Sequence, residues 1–141
     1  MEKRRLSKIL ARAGKEQVKK LADEIKETYS PVIVKAPEKS LTMIRMREPV
    51  KESLFYLGEV IISEAIVDLD STKGIAVMMG DDFEKVLDMA VIDAACNKGV
   101  FQQYERLEQM EKEQKLQLEK ENALFLQTMV QFHSMDSEGT L

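Results

Sequence analysis

The chain has 141 residues and a formal net charge of −4, and 44% of its residues are hydrophobic although only 6% are aromatic. This composition fits one domain with an aliphatic core, and the mildly acidic balance excludes nucleic acid as the main partner because phosphate binding needs a basic face. One cysteine excludes an internal disulfide, and no apolar segment approaches the roughly 20 residues that a membrane span needs. We therefore expect a soluble cytoplasmic protein that does not enter a membrane.

The first 29 residues show the three- and four-residue spacing of apolar side chains that is typical of amphipathic helices. Gly14 interrupts this stripe, so the pattern predicts two helices or one kinked helix. Ser30-Pro31 ends the helical region because the residue before proline avoids the α conformation. The basic residues near the N-terminus are interpreted as the solvated face of these helices.

The middle of the chain predicts a small antiparallel sheet of about four to five strands. Residues 32–35, 41–47 and 54–57 are short β-prone segments separated by proline or glycine. Residues 60–69 and 75–79 then form a hairpin around the turn residues 70–74. Both faces of residues 60–69 are largely apolar, which indicates a strand that is central or covered on both sides.

A helix follows the sheet. Gly80 breaks the last strand, Asp81 is the predicted N-cap with Glu84 three residues later, and Gly99 is the predicted stop. The fold class is therefore α+β: N-terminal helices, the sheet, a packed helix and then a long C-terminal helix.

The last third predicts a polar helix over about residues 101–135 that projects from a single domain of residues 1–135, followed by a disordered tail of residues 136–141. The helix ends in an apolar patch that either folds back on its own domain or docks on another chain. The candidate partner contacts in this patch are Leu124, Phe125, Met129 and Phe132.

Catalytic chemistry is nearly absent from the sequence. His133 is the single histidine and lies near the predicted tail, and Cys96 lies on a helix stripe where a packing role is expected. Arg45 and Arg47 are interpreted as a solvated strand face. The aspartates have turn and cap roles that explain them better than a metal site does; they are Asp68, Asp70, Asp81 and Asp82. We predict no catalytic, cofactor-binding or metal-binding residue and no cofactor.

An ordered set of short segments resembles the PhnG family, the G subunit of the bacterial carbon–phosphorus lyase core complex. The set covers about the last two-thirds of the chain. It comprises RMREP (residues 45–49), GEV (58–60), SEA (63–65), MGDD (79–82), AVIDAA (90–95) and, more weakly, TMV (128–130).

The resemblance implies a small α+β subunit that assembles with the H, I and J subunits and packs chiefly against the I subunit. The assembly supports synthesis of α-D-ribose 1-methylphosphonate 5-triphosphate from ATP and methylphosphonate, with release of adenine. The resemblance assigns the nucleosidase chemistry to the I subunit and the radical cleavage to the iron–sulfur J subunit. The G subunit is required but supplies no known reacting group, so the isolated chain is expected to be inactive.

Two departures from the family pattern bear on partner contacts. Relatives often carry Arg where this chain has Asp81, and charged residues where it has Ala123 and Phe125. A stand-alone helical interaction module is the alternative function, and a small hydrolase that uses the aspartates is a third. Whether the chain forms a homodimer when alone is left open.

Overall fold

The computed structural model describes the backbone of residues 1–139 and the side chains of residues 1–128. Contacts divide the chain into two compact units, Met1–Tyr104 and a second unit that begins at Glu105. The elements in chain order are α1 (Lys3–Arg12), α2 (Lys15–Thr28), β1 (Val32–Arg47), β2 (Leu54–Leu69), β3 (Thr72–Met79), α3 (Phe83–Lys98) and α4 (Tyr104–Gly139). The α+β class and the order of helices and strands are confirmed.

The strands form one antiparallel sheet in the order β1-β2-β3. Strand β2 is central, as predicted, and is joined to β3 by the two residues Asp70 and Ser71. Both have positive φ, 47° and 71°, which gives the turn the twist of a tight hairpin.

The sheet has three strands in the described part of the chain, so the predicted number of four to five is wrong. Residues 32–35 and 41–47 are joined into β1 through Pro37, and residues 54–57 and 60–69 are joined into β2 through Gly58. The pairing register shifts between Lys35 and Glu38 and again beside Ile44. Bulges in an edge strand tolerate proline, and glycine inside a strand often marks a bulge.

Helix α3 covers one face of the sheet. Alternate residues of β2 are buried beneath it, and these are Ser63, Ala65, Val67 and Leu69. At Gly74 of β3 the helix approaches so closely that an added Cβ would overlap the backbone of Ala90 and Ala94. The small residues of the helix stripe thus permit the close packing on the sheet that the sequence predicted.

Polar contacts from α3 tie the neighbouring elements together. The buried Lys85 ammonium donates to the carbonyls of Ala11 (2.8 Å) and Ala13 (2.7 Å) at the end of α1. Asp88 pairs with Lys26 of α2 at 3.0 Å, and Asp93 accepts the Ile75 N–H of β3 at 3.0 Å. Helix α2 packs on α3, and α1 contacts both α3 and strand β3.

The ends of α3 confirm one prediction and correct another. Gly99 ends the helix in the left-handed conformation at φ 80°, as predicted. The N-cap is Asp82 rather than Asp81: its carboxylate accepts the Lys85 N–H at 3.1 Å. Gly80 has φ 103°, and the chain therefore needs one more residue to turn from the strand into the helix than the capping-box spacing assumes.

Candidate interaction surface

The face of the sheet opposite α3 is apolar and exposed. In β3 the side chains of Ile75, Val77 and Met79 are 56%, 47% and 66% exposed. They lie beside Ile66, Glu64 and Ile62 of β2, which point the same way because directly paired residues share a face. We call this surface the open face and define it by Ile62, Glu64, Ile66, Ile75, Val77 and Met79.

A charged cluster interrupts the open face. Glu38 of β1 pairs directly with Glu64 of β2, so two carboxylates lie side by side. The Lys35 ammonium bridges them, at 2.8 Å from Glu38 and 2.7 Å from Glu64. Hydrogen bonds to Glu38, which has the larger effect, and to Glu64 raise the pKa of Lys35. The Lys35 ammonium therefore stays charged at any physiological pH. We call these three residues the Lys35 triad.

Strands β1 and β2 continue beyond the end of β3 as a two-stranded arm. Met79 is the last residue of β3 that pairs, and it lies opposite Ile62. Beyond this point β1 and β2 remain paired with each other, from the pair Leu41 and Ile61 to the pair Arg47 and Leu54. We call residues 41–61 the arm.

The arm exposes apolar side chains on both of its faces. Leu41 and Ile61 pair on the α3 side, and Met46 and Phe55 pair on the side of the open face; all four are exposed. A two-stranded hairpin is marginally stable alone, and exposed apolar patches of this extent mark interaction sites. The side of the arm that carries Met46 and Phe55 thus continues the open face, and the two together form the candidate interaction surface.

The positions that suggested catalysis are not brought together. Asp82 caps α3, Asp81 pairs with Lys39 at 2.8 Å, and Asp70 pairs with Lys98 at 3.5 Å. Within the described residues no group of three or more His, Cys, Asp or Glu side chains could hold a metal ion. Asp70 thus lies in the predicted turn, and the cap belongs to Asp82 rather than to Asp81.

Cys96 is half-buried near the end of α3. Burial raises the pKa of its thiol, and the nearby Asp93 carboxylate adds to this effect. A thiol with a raised pKa is a poor nucleophile at neutral pH, which supports a packing role. His133 lies outside the residues whose side chains are described.

The predicted contacts near the end of α4 are described only in part. Leu124 and Phe125 are each 65% exposed, and Leu126 beside them is 60% exposed. Met129 and Phe132 lie outside the residues whose side chains are described. A contact between these residues and a partner stays a prediction.

Sequence reasoning missed the open face and the arm. The apolar character of both faces of residues 60–69 was the available signal, and it indicated a strand that is central or covered on both sides, of which only the central position holds. The structure covers one side with α3 and leaves the other exposed. Arg45 and Arg47, expected on a solvated strand face, lie exposed on the arm.

These features define a class of protein: a small α+β chain with an exposed apolar sheet face and no assembled catalytic set among its described residues. Its sequence matches the family model of phosphonate metabolism protein PhnG over residues 1–137. The chain therefore belongs to the PhnG family, which places it in phosphonate metabolism. A search of curated proteins finds no match. No helix in the described part of the chain is long and apolar enough to cross a membrane.

Proposed function

We propose that the chain is a non-catalytic accessory subunit of the carbon–phosphorus lyase core complex. In this role it is required for forming α-D-ribose 1-methylphosphonate 5-triphosphate from ATP and methylphosphonate, a transferase reaction of phosphonate catabolism. Its partners are the H, I and J subunits, and the I subunit is the most direct one. Membership of the PhnG family supports the pathway.

The observation that carries the accessory role is the exposed apolar surface. Ile75, Val77 and Met79 are exposed on β3. Because a strand fixes the face to which each side chain points, they cannot turn into the core on the other face. A surface of this kind is disfavoured in water and is typical of chains that function in an assembly. Three of the aspartates that were considered for catalysis, Asp70, Asp81 and Asp82, cap a helix or form ion pairs.

Co-purification tests the proposal. A tagged chain is expressed in phosphate-starved cells together with the candidate subunits, and the captured proteins are identified by mass spectrometry. We expect stoichiometric capture of the I subunit, and we expect the isolated chain to leave ATP and methylphosphonate unchanged. A folded chain that captures no phosphonate-pathway subunit would contradict the proposal.

The variant pair for this experiment is Val77→Asp and Lys20→Asp. Val77 lies on the open face, whereas Lys20 is exposed on α2. Val77→Asp should reduce capture by at least about tenfold, because a central apolar contact becomes a desolvated charge. Lys20→Asp should capture as the wild type does, and equal capture by both variants would place the contact elsewhere.

A further inference from the structure

We infer that the open face docks a protein surface that is apolar and carries one arginine or lysine side chain, which pairs with the excess carboxylate of the Lys35 triad. The inference rests on the proposed function, because it specifies the chemistry of the partner surface in that assembly. It adds a recognition element to an interface that would otherwise be only apolar.

The position of the triad carries the first step. Glu64 lies on β2 between Ile62 and Ile66, and it is paired with Val77 on β3. Its side chain is only 29% exposed even in the isolated chain. Any surface that covers the flanking isoleucines therefore also removes Glu64 from water.

The charge of the triad carries the second step. Two carboxylates share one ammonium, which leaves the triad with a net charge of −1. Burying a carboxylate without a matching cation is strongly unfavourable, whereas a cation from the partner that completes the set offsets the loss of hydration. A guanidinium suits this site because it can bond two carboxylates at once, and an ammonium can do so with lower directionality.

A second copy of this chain fits the open face poorly. In a twofold interface the same patch lies on both sides, so two triads would be buried in one contact. Each triad carries the same excess negative charge, and like charges at an interface suppress such pairing. The triad thus favours a basic partner over self-association through this face.

The test uses two variants of this chain, Glu64→Gln and Glu38→Gln. It measures how tightly each variant binds the subunit that the wild-type chain captures. Each variant removes the excess charge and keeps one carboxylate beside Lys35. We expect each to weaken binding by at least about 30-fold, as for a charge pair that is desolvated on binding. The matched control is Glu84→Gln on α3, which breaks a comparable exposed ion pair with Lys15 (2.9 Å) and should stay within about twofold of the wild type.

A second measurement detects the predicted pair directly. Zero-length carbodiimide crosslinking of the assembled complex should join Glu38 or Glu64 to a lysine of the partner. If the partner residue is arginine, no such crosslink forms. Substitution of the basic residues in the partner surface then identifies the pair. Circular dichroism confirms that the variants are folded. Since Glu38 is 55% exposed, Glu38→Gln should fold even where Glu64→Gln does not.

The outcomes separate the two proposals. If Val77→Asp loses the partner but both glutamine variants bind as the wild type does, the open face is the interface and the basic pairing is wrong. If all variants bind normally, the inference is overturned while the proposed function stands. If the wild type binds no pathway subunit, the proposed function is overturned and the inference with it. If the chain pairs with itself through this face, the inference is overturned while the proposed function stands.

Discussion

At the residue scale, Gly74 shows how closely α3 approaches the sheet. An added Cβ would meet the main chain of Ala90 and Ala94 and would lie 2.6 Å from the Ala94 Cβ, so neither a rotamer change nor a flexible side chain can relieve the overlap. We expect Gly74→Ala to lower the free energy of unfolding by about 2–3 kcal/mol, as overpacking of a tight contact does. Urea denaturation measures this change.

Gly58 is the matched control for Gly74. It also lies inside a strand, but no atom comes within 4 Å of an added Cβ, and its φ is not positive. Gly58→Ala should therefore change the free energy of unfolding by less than about 1 kcal/mol. Equal destabilisation by both substitutions would show that strand glycine itself, and not helix packing, is responsible.

Lys85 is a second residue whose role depends on its burial. Lys85→Met removes both hydrogen bonds to the last carbonyls of α1 and should cost about 1.5–3 kcal/mol. Burial lowers the pKa of Lys85 below its ordinary value of 10.5, although the Asp82 carboxylate opposes this shift. At pH values between the lowered pKa of Lys85 in the folded chain and 10.5, the unfolded chain binds more protons than the folded chain does. The free energy of unfolding therefore rises with pH in this range.

The pH dependence separates Lys85 from the other lysines. The stability difference between the wild type and Lys85→Met should grow as pH rises toward 10.5, as measured by urea denaturation at several pH values. Lys20→Met, on the exposed side of α2, should give a small difference that does not vary with pH. A difference for Lys85→Met that shrinks with rising pH would contradict the assigned shift.

At the element scale, helices and turns follow from the sequence more closely than strands do. Gly14, Pro31 and Gly99 mark real helix boundaries, because backbone conformation decides these positions locally. Pro37 and Gly58 are equally strong local signals, yet they lie inside long strands. The pairing of β1 with β2, and the bulges that accommodate Pro37 and Gly58, involve residues far apart in sequence. The periodicity of a single segment therefore cannot predict them.

The arm is the element with the least support in the isolated chain. Apart from one hydrogen bond from the Gly80 N–H to the Ile61 carbonyl, its strands pair only with each other. Residues 63–69 of β2 pair on both sides and are covered by α3. We expect amides of residues 41–47 and 54–61 to exchange hydrogen at least about tenfold faster than those of residues 63–69, because local opening there exposes little buried surface. Mass spectrometry of deuterated peptides makes this comparison.

Partner binding extends the exchange experiment. If the arm is part of the interaction surface, its amides should gain protection when the captured subunit is added, and those of α1 should change little. Equal protection of the arm and of residues 63–69 in the isolated chain would show that the arm is stable without a partner.

At the scale of the whole molecule, the sequence predicted the fold class and the family, whereas the partner contacts that it predicted stay predictions. Its predicted contacts lie near the end of α4, where an apolar patch follows a polar helix. A second exposed apolar surface is on the sheet, where apolar strand residues look the same in sequence whether they face a core or a partner. Only the position of α3 decides which face is covered, and that position depends on packing around Gly74.

The two surfaces lead to a last prediction, which concerns Leu124 and Phe125 of α4. Both are exposed, so Leu124→Ser/Phe125→Ser should leave thermal unfolding of the chain unchanged within about 2 °C, as expected for surface positions. If the α4 patch binds a partner, the same variant should reduce capture of the assembled subunits, because aromatic and leucine side chains dominate such contacts. Glu119→Ser/Lys120→Ser, one turn earlier on the exposed helix, is the control. Lower stability with unchanged capture would mean that the patch packs within its own chain.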